Sequence, residues 1–319
     1  MAKTALVTGA TGFLGRQVLI SFKSAGFQVV GTGYTRANPP IILKTNLLDS
    51  AEILSVLEEV KWALPLPPDV VVHCAANRFP EKCDANPDEA KKINVEASKL
   101  LAHATSSKNV LLIYISTDYV FPGKPGDAPY EADSTPDPTN LYGQTKLDGE
   151  RAILEETEKS GLGVVLRVPV LYGKAEESKE SAVNVLMDVM WKSQGKESRT
   201  KIDDWAKRYP TNIEDVARVC VDTATRYLAD EQHHRLPRIL QFSSEDRFTK
   251  YEICALFAEI MGLSLDGMVE DKAGNDPNAS VQRPYDTHLT NQALKDIGIS
   301  IVTQDFKAWW RWETKAFRK

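Results

Sequence analysis

The sequence predicts an α/β protein of the Rossmann type: a doubly wound parallel sheet carrying a smaller C-terminal α/β lobe. Three observations point there. Apolar strand-like runs alternate with amphipathic helix-like segments up to residue 168. The runs are near-continuous Val, Ile and Leu rather than alternating, as strands covered on both faces must be. The first run leads, within ten residues of the N-terminus, into a glycine turn that opens a helix.

Residues 3–8 (KTALVT) read as the first strand, and Val18, Leu19 and Phe22 supply the apolar face of the helix behind the turn. After Gly26, residues 28–33 (QVVGTG) make a second strand, completing a βαβ unit. Ile53, Leu54 and Leu57 predict a helix over 50–60, and Pro65, Pro67 and Pro68 close that region before a strand at 69–74. A long helix follows over 85–106, a buried strand over 110–116 (VLLIYIS), a helix over 142–159 and a buried strand over 164–168. Beyond Gly173 the pattern loosens: helix over 178–191, polar loop over 193–203, helix over 213–228, strand over 238–242, helix over 249–261, then a polar stretch over 270–280. The expected division is a dinucleotide-binding domain over 1–173 whose sheet is completed by later segments, a smaller lobe over 174–306, and a tail over 307–319.

Charge and composition exclude whole classes of function. The 319 residues carry 39 Lys plus Arg against 44 Asp plus Glu, a net charge of −5, which gives no bulk attraction to nucleic acid or anionic lipid. With 42% hydrophobic and 26% charged residues the chain can bury a core, so disorder is excluded for most of it. No apolar run reaches the roughly 20 residues a bilayer crossing needs. The start Met1-Ala2-Lys3 runs straight into a strand with no signal-peptide core, so a cytoplasmic location is expected. Cys74, Cys83, Cys220 and Cys254 form no CxxC pair, which argues against a disulfide frame or a metal site.

The glycine turn carries the first chemistry. Gly9 and Gly12, lacking Cβ atoms, let backbone N–H groups approach a pyrophosphate at a helix N-terminus, and Gly15 lets helix and strand pack closely; Thr11, Phe13 and Leu14 complete the loop. The second strand ends in Gly33-Tyr34-Thr35-Arg36, with no carboxylate to take a ribose 2′-hydroxyl. Arg36 and Arg16 are therefore candidates for a 2′-phosphate, and NADP (NADPH) is favoured over NAD. Tyr34 flanks that position, Asn46 and Leu47 fall where the chain closes over the adenine, and Cys74, Ala75 and Ala76 lie where small residues let a cofactor pass.

Tyr142 and Lys146, four residues apart, share a helix face, so the ammonium can stabilise a phenolate and tune Tyr142 as an acid or base. Upstream, Ser116 and Thr117 end a buried strand and offer a hydroxyl to a substrate carbonyl. Thr117, Tyr142 and Lys146 are the candidate catalytic residues, Ser116 and Pro169 are further candidates around the nicotinamide, and Asn94 and Arg167 join them only by resemblance to a known family.

The spacing TGxxGxxG, with YxxxK about 25 residues after Ser-Thr, resembles the extended short-chain dehydrogenase/reductases. Residues 116–123 (STDYVFPG) resemble the dTDP-4-dehydrorhamnose reductase branch. Within that branch LVTGATGFLG, NLLDS, VHCAA, YISTDYVF, NLYGQTKLDGE, ESAVNV and RYPT are most similar to the regulatory beta subunits of methionine adenosyltransferase. The resemblance implies an NADP-binding reductase fold that acts by binding the methionine adenosyltransferase catalytic subunit, with the C-terminal tail as docking element. That tail sets Lys307, Arg311, Lys315, Arg318 and Lys319 against Glu313 and interleaves Trp309, Trp310, Trp312 and Phe317, the residue types enriched at interface hot spots; the other reading is a basic amphipathic end folded onto its own lobe, or frayed. The alternative is an active NADPH-dependent reductase of a nucleotide-linked 4-keto-6-deoxy sugar. There Asp118 and Tyr119 would line the pocket, and Arg78, Arg208 and Arg283 would meet a diphosphate.

Overall fold

The computed structural model describes residues 2–58, 67–195, 199–229 and 232–316. Strand β1 (Thr4–Thr8) is buried along its length and feeds α1 (Phe13–Ser24), which turns Phe13, Leu14, Val18 and Phe22 onto the sheet. β2 (Gln28–Gly33), β3 (Ile42–Lys44), α2 (Ser50–Glu58) and β4 (Val70–His73) follow. Next come α3 (Pro80–Ala85), α4 (Pro87–Lys91), a π-helical turn Lys92–Glu96 and α5 (Ala97–Ser107). β5 (Leu111–Thr117), α6 (Leu141–Glu156) and β6 (Gly163–Val168) complete the first half. The second half comprises β7 (Leu171–Tyr172), α7 (Val185–Lys192), β8 (Thr200–Asp203), β9 (Thr211–Asn212), α8 (Ile213–Ala229), β10 (Ile239–Gln241), α9 (Lys250–Met261), β11 (Met268–Asp271), α10 (Gln292–Asp296) and α11 (Phe306–Glu313).

Seven strands form one parallel sheet in the order β10-β6-β5-β4-β1-β2-β3. The chain winds one way through β1, β2 and β3 and the other way through β4, β5 and β6. The reversal between β1 and β4 opens a crevice at the strands' C-terminal ends, where ligands bind in such sheets. Thr8 lies opposite Thr32 on one side and His73 on the other, and Thr117 opposite Val168, so the functional ends share one edge. One face packs on α1 and α8 through Phe22, Val18, Val216 and Cys220, the other on α2, α5 and α6 through Ile53, Leu57, Leu101 and Ile153. A third core, with Tyr172, Met190, Phe257 and Trp310, belongs to the smaller lobe.

Three stretches differ from the sequence-based expectation, and the tail takes the reading that folds it onto the smaller lobe. The single helix over 85–106 is interrupted: α3 ends at Ala85, and Pro87, which has no N–H to donate, starts a new helix at its first position. The helix over 178–191 begins only at Val185, because Ser181 Oγ accepts from the Val183 and Asn184 N–H groups and holds the chain in a local turn. The loop over 193–203 ends as β8, paired with β11, whose last two residues, Glu270 and Asp271, open the stretch read as polar. The tail over 307–319 is, for most of its described part, helix α11, capped by Asp305, with Phe306, Trp309 and Trp310 buried in the small-lobe core. Trp312 stays 64% exposed. Phe317 lies outside the described residues.

Candidate cofactor and active site

A cavity of about 700 Å³ runs from the glycine turn into the smaller lobe. Gly9 sits at φ +63°, and a Cβ there would stand 2.7 Å from the Ala75 backbone nitrogen; at Gly15 it would stand 2.2 Å from the Gly9 carbonyl oxygen. Side chains at either place would force β1, β4 and α1 apart. The Gly12 N–H donates to the Gly9 carbonyl at 2.8 Å, closing the turn at the start of α1. Gly9, Thr11, Gly12, Phe13, Leu14 and Gly15 all line the cavity, as do Tyr34 and Arg36, then Asn46 and Leu47, then Cys74, Ala75 and Ala76. This backbone-lined cradle fits a dinucleotide.

The two arginines differ. Arg36 is 53% exposed, lines the cavity, and donates to the Thr11 carbonyl at 2.5 Å and to Glu176 at 3.2 Å. Arg16 donates both guanidinium nitrogens to Glu180, at 3.0 and 2.6 Å, and a third bond to the Thr11 carbonyl at 2.8 Å. It is absent from the described cavity lining, and its role is to clasp the segment before α7 against the glycine turn.

Thr117 ends β5 and Tyr142 and Lys146 sit in the first turns of α6, whose N-terminus is capped by Asn140 Oδ1 accepting from the Gly143 N–H at 3.0 Å. A Cβ on Gly143 would lie 2.2 Å from the Tyr119 carbonyl oxygen, so this glycine lets the helix press against the turn after β5. Thr117 Oγ1 donates to Asp118 Oδ1 at 3.0 Å and faces the Tyr142 hydroxyl, where it opposes the effect of burial on the phenol. Lys146 Nζ donates to the Ile115 carbonyl at 2.7 Å and lies 3.9 Å from the Tyr114 ring centroid. Burial pushes the Tyr142 phenol well above its ordinary range and pulls the Lys146 ammonium down to about 7. Thus Tyr142 is a phenol at neutral pH, held as a proton donor beside Thr117, with a lysine poised to change charge one turn away. Burial also raises the Asp118 carboxyl to about 6 against hydrogen bonds from Thr287 and Thr117.

Ser116 and Pro169 line the cavity, although Ser116 Oγ is committed to Glu150 Oε1 at 2.5 Å. Asn94 and Arg167 are placed elsewhere. Asn94 accepts from the Asn77 N–H and donates to the Asn77 carbonyl and to Thr145 Oγ1, at 2.8, 2.9 and 3.0 Å, tying the π-helical turn to α6. Arg167 points its whole guanidinium at Glu150 and the Ala132 carbonyl, so it organises the floor under the site without facing the cavity. Asp118, Tyr119, Arg78, Arg208 and Arg283 line the cavity as the sequence suggested; Glu180 and Lys250 line it from family-like stretches that carry no site motif, and Phe79 and Ile253 line it with no local pattern to mark them. Among the described residues no group of three or more His, Cys, Asp or Glu is placed to hold a metal ion, and no helix is long and apolar enough to cross a membrane.

The fold and sequence have close counterparts. The chain is 39% identical over 297 residues to a methionine adenosyltransferase 2 subunit beta of Xenopus tropicalis, covering 93% of this chain and 83% of that one. It is 41% identical over 305 residues to the Danio rerio protein of the same name, covering 95% and 87%. A dTDP-4-dehydrorhamnose reductase of Streptomyces griseus is 35% identical, over 53% of this chain and 50% of its own. Among solved structures, a dTDP-4-dehydrorhamnose reductase of Clostridium acetobutylicum superposes with TM-score 0.79 at 22% identity over 98% of both chains. One from Bacillus anthracis, in complex with NADP, superposes with TM-score 0.78 at 20% identity over 99% of this chain and 100% of that one. These two establish the shared fold. The family model for the RmlD substrate binding domain matches residues 3–311, so the chain belongs to that family, in the group of the methionine adenosyltransferase 2 beta subunits.

Proposed function

We propose that this chain is an NADP-binding regulatory beta subunit of methionine adenosyltransferase, acting in the cytoplasm by docking on the catalytic subunit. The observation that carries the reading is the reach of the likeness: 41% identity over 95% of this chain to a beta subunit, against half-length similarity to a reductase. The cofactor would lie along Gly9, Gly12 and Ala75, with its 2′-phosphate at Arg36. That arginine is half exposed, lines the cavity and follows a second strand that ends without the Asp or Glu that would take a ribose 2′-hydroxyl; its pairing with Glu176 is on the surface and would have to be exchanged for the phosphate. Docking through the C-terminal end is supported by Trp312, a large aromatic left exposed while its neighbours Trp309 and Trp310 are buried.

The test is capture of partners by the tagged full chain from a native extract. The methionine adenosyltransferase catalytic subunit should co-purify with the intact chain and be lost on deletion of residues 311–319, while NADPH binding persists. Co-purification that survives the deletion overturns docking through the tail, and its absence with the intact chain overturns the reading.

The geometry of Thr117, Tyr142 and Lys146 favours a second reading, a reductase of a nucleotide-linked 4-keto-6-deoxy sugar. NADPH would supply the hydride. The chain would do the rest: Thr117 polarises the carbonyl, Tyr142 gives its phenolic proton to the alkoxide oxygen, and Lys146, once charged, stabilises the phenolate left behind. Oxidation of NADPH in the presence of a dTDP-4-keto-6-deoxy sugar, abolished by Tyr142→Phe, would establish it; no turnover by the wild type removes it for this substrate.

A further inference from the structure

Past the cofactor trough the cavity continues into the smaller lobe, and its lining changes in two ways. The walls become apolar, with Phe79, Val170, Val183, Leu186 and Ile253 facing the space. The neutral polar side chain among them is already used: Ser181 Oγ donates to the Leu171 carbonyl at 2.7 Å and accepts from the Val183 and Asn184 N–H groups. The rim, in contrast, is cationic, formed by Arg78, Arg208, Lys250 and Arg283.

These four cations are incompletely matched. Arg283 pairs with Glu81, and Arg78 donates to the Glu180 carbonyl. Arg208 is 7% exposed; its Nη2 has no hydrogen-bond partner among the described residues, the nearest carboxylate being Asp203 at 3.6 Å. Asp118 also faces Arg208 but is engaged by Thr117 and Thr287. Lys250 makes no hydrogen bond and no ion pair among the described residues. A buried guanidinium nitrogen that has a carboxylate at 3.6 Å but no hydrogen bond, and an ammonium with no direct partner, are costly over an apolar floor, and an incoming anion offsets that cost. Burial, with Arg208 and Arg283 close by, pulls the Lys250 ammonium down to about 8 despite the opposing pull of Asp203 and Glu81, so the carboxylates in reach do not offset the burial and the two arginines.

We propose that this end of the cavity binds an organic acid: one anionic head, carboxylate, sulfonate or phosphate, held by Arg208 and Lys250, with an apolar body seated against Leu186 and Ile253. A sugar ring would bring several hydroxyls against Phe79, Val170, Val183, Leu186 and Ile253, whose side chains can receive none of them, and each one left unsatisfied costs binding energy. An apolar body loses nothing there and gains from burial. The proposal is independent of docking on another subunit.

The test is calorimetric titration of 2-naphthoate into the full chain, with and without saturating NADP, so that failure to bind cofactor is not read as failure of the acid site. One saturable site is expected. The uncharged analogue 2-naphthol should bind about tenfold weaker or worse, since a charge-assisted contact is worth roughly one decade or more in affinity. Lys250→Met should weaken naphthoate by about tenfold with an unchanged unfolding midpoint, Lys250→Arg should restore most of it, and Lys250→Gln gives the same reading if the Met variant does not fold. dTDP should not displace naphthoate. Non-saturable binding, equal affinity for naphthol, indifference to Lys250→Met, or displacement by dTDP each overturns the proposal.

Discussion

Arg167 and Glu150 form a bidentate ion pair, at 2.9 and 2.7 Å, in which each side chain keeps only 2% of its surface. Ser116 donates to the same carboxylate and Arg167 reaches the Ala132 carbonyl, so β5, β6 and α6 are joined beneath the site. Removing one partner leaves a buried charge uncompensated. Arg167→Met should therefore cost about 3–5 kcal/mol of stability, and the double change Arg167→Met with Glu150→Leu distinctly less. Urea unfolding of both variants checks this; a cost below about 1 kcal/mol for the single change would mean that the pair is dispensable.

Two buried groups give the acid limb of stability opposite signs. His73, between Thr8 Oγ1 at 2.6 Å and Ser98 Oγ at 3.1 Å, is lowered to about 3 by burial and then by the Lys146 charge. Between its unfolded value of 6.5 and 3 the unfolded chain holds the extra proton, so this contribution is complete above pH 6.5 and is lost on acidification, by about 1.4 kcal/mol per pH unit. Asp118 is raised from 3.8 to about 6, so there the folded chain holds the extra proton. Its contribution is complete below pH 3.8 and is lost as pH rises through 6. His73→Asn should flatten the decline in stability between pH 6.5 and 4.5, and Asp118→Asn should steepen it. Unfolding free energies at three pH values in that window would show identical slopes if neither group titrates as placed.

Arg36 and Arg16 should separate in cofactor titrations. Arg36→Ala is expected to weaken NADPH by about tenfold or more and to leave NADH nearly unchanged, because a charge-assisted contact with phosphate is worth about 1.5–3 kcal/mol. Arg16→Ala, which releases Glu180 from the glycine turn, should weaken both cofactors alike. Fluorescence titration of each variant with each cofactor decides; equal losses at Arg36 would remove the 2′-phosphate assignment.

Trp310 and Trp312 are two residues apart and opposite in environment. Trp310 is 4% exposed, with its ring 4.6 Å from Phe257, whereas Trp312 is 64% exposed. Trp310→Ala should cost about 3–5 kcal/mol, and Trp312→Ala no more than about 0.5 kcal/mol. If the exposed face docks, only Trp312→Ala should reduce capture of the catalytic subunit from an extract at unchanged thermal stability.

The sequence by itself determined the order of elements in the first half, the glycine turn, and the helix face shared by Tyr142 and Lys146. Each is written in consecutive residues: apolar runs that bury a strand, glycines where a side chain would collide, and a spacing of four that stacks side chains on one turn. Pro87 was also a local signal, marking the helix start two residues after the expected position at 85.

Tertiary structure alone decided what several charged residues do. Arg16 meets Glu180, which lies 164 positions further along the chain, Arg167 turns from the cavity to Glu150, and Arg208, Lys250 and Arg283 converge from three separate segments on one rim. Nothing in the neighbouring residues specifies such partners. Backbone preference and burial act over a few positions, whereas the distance between two charges is set only once the elements that carry them have packed.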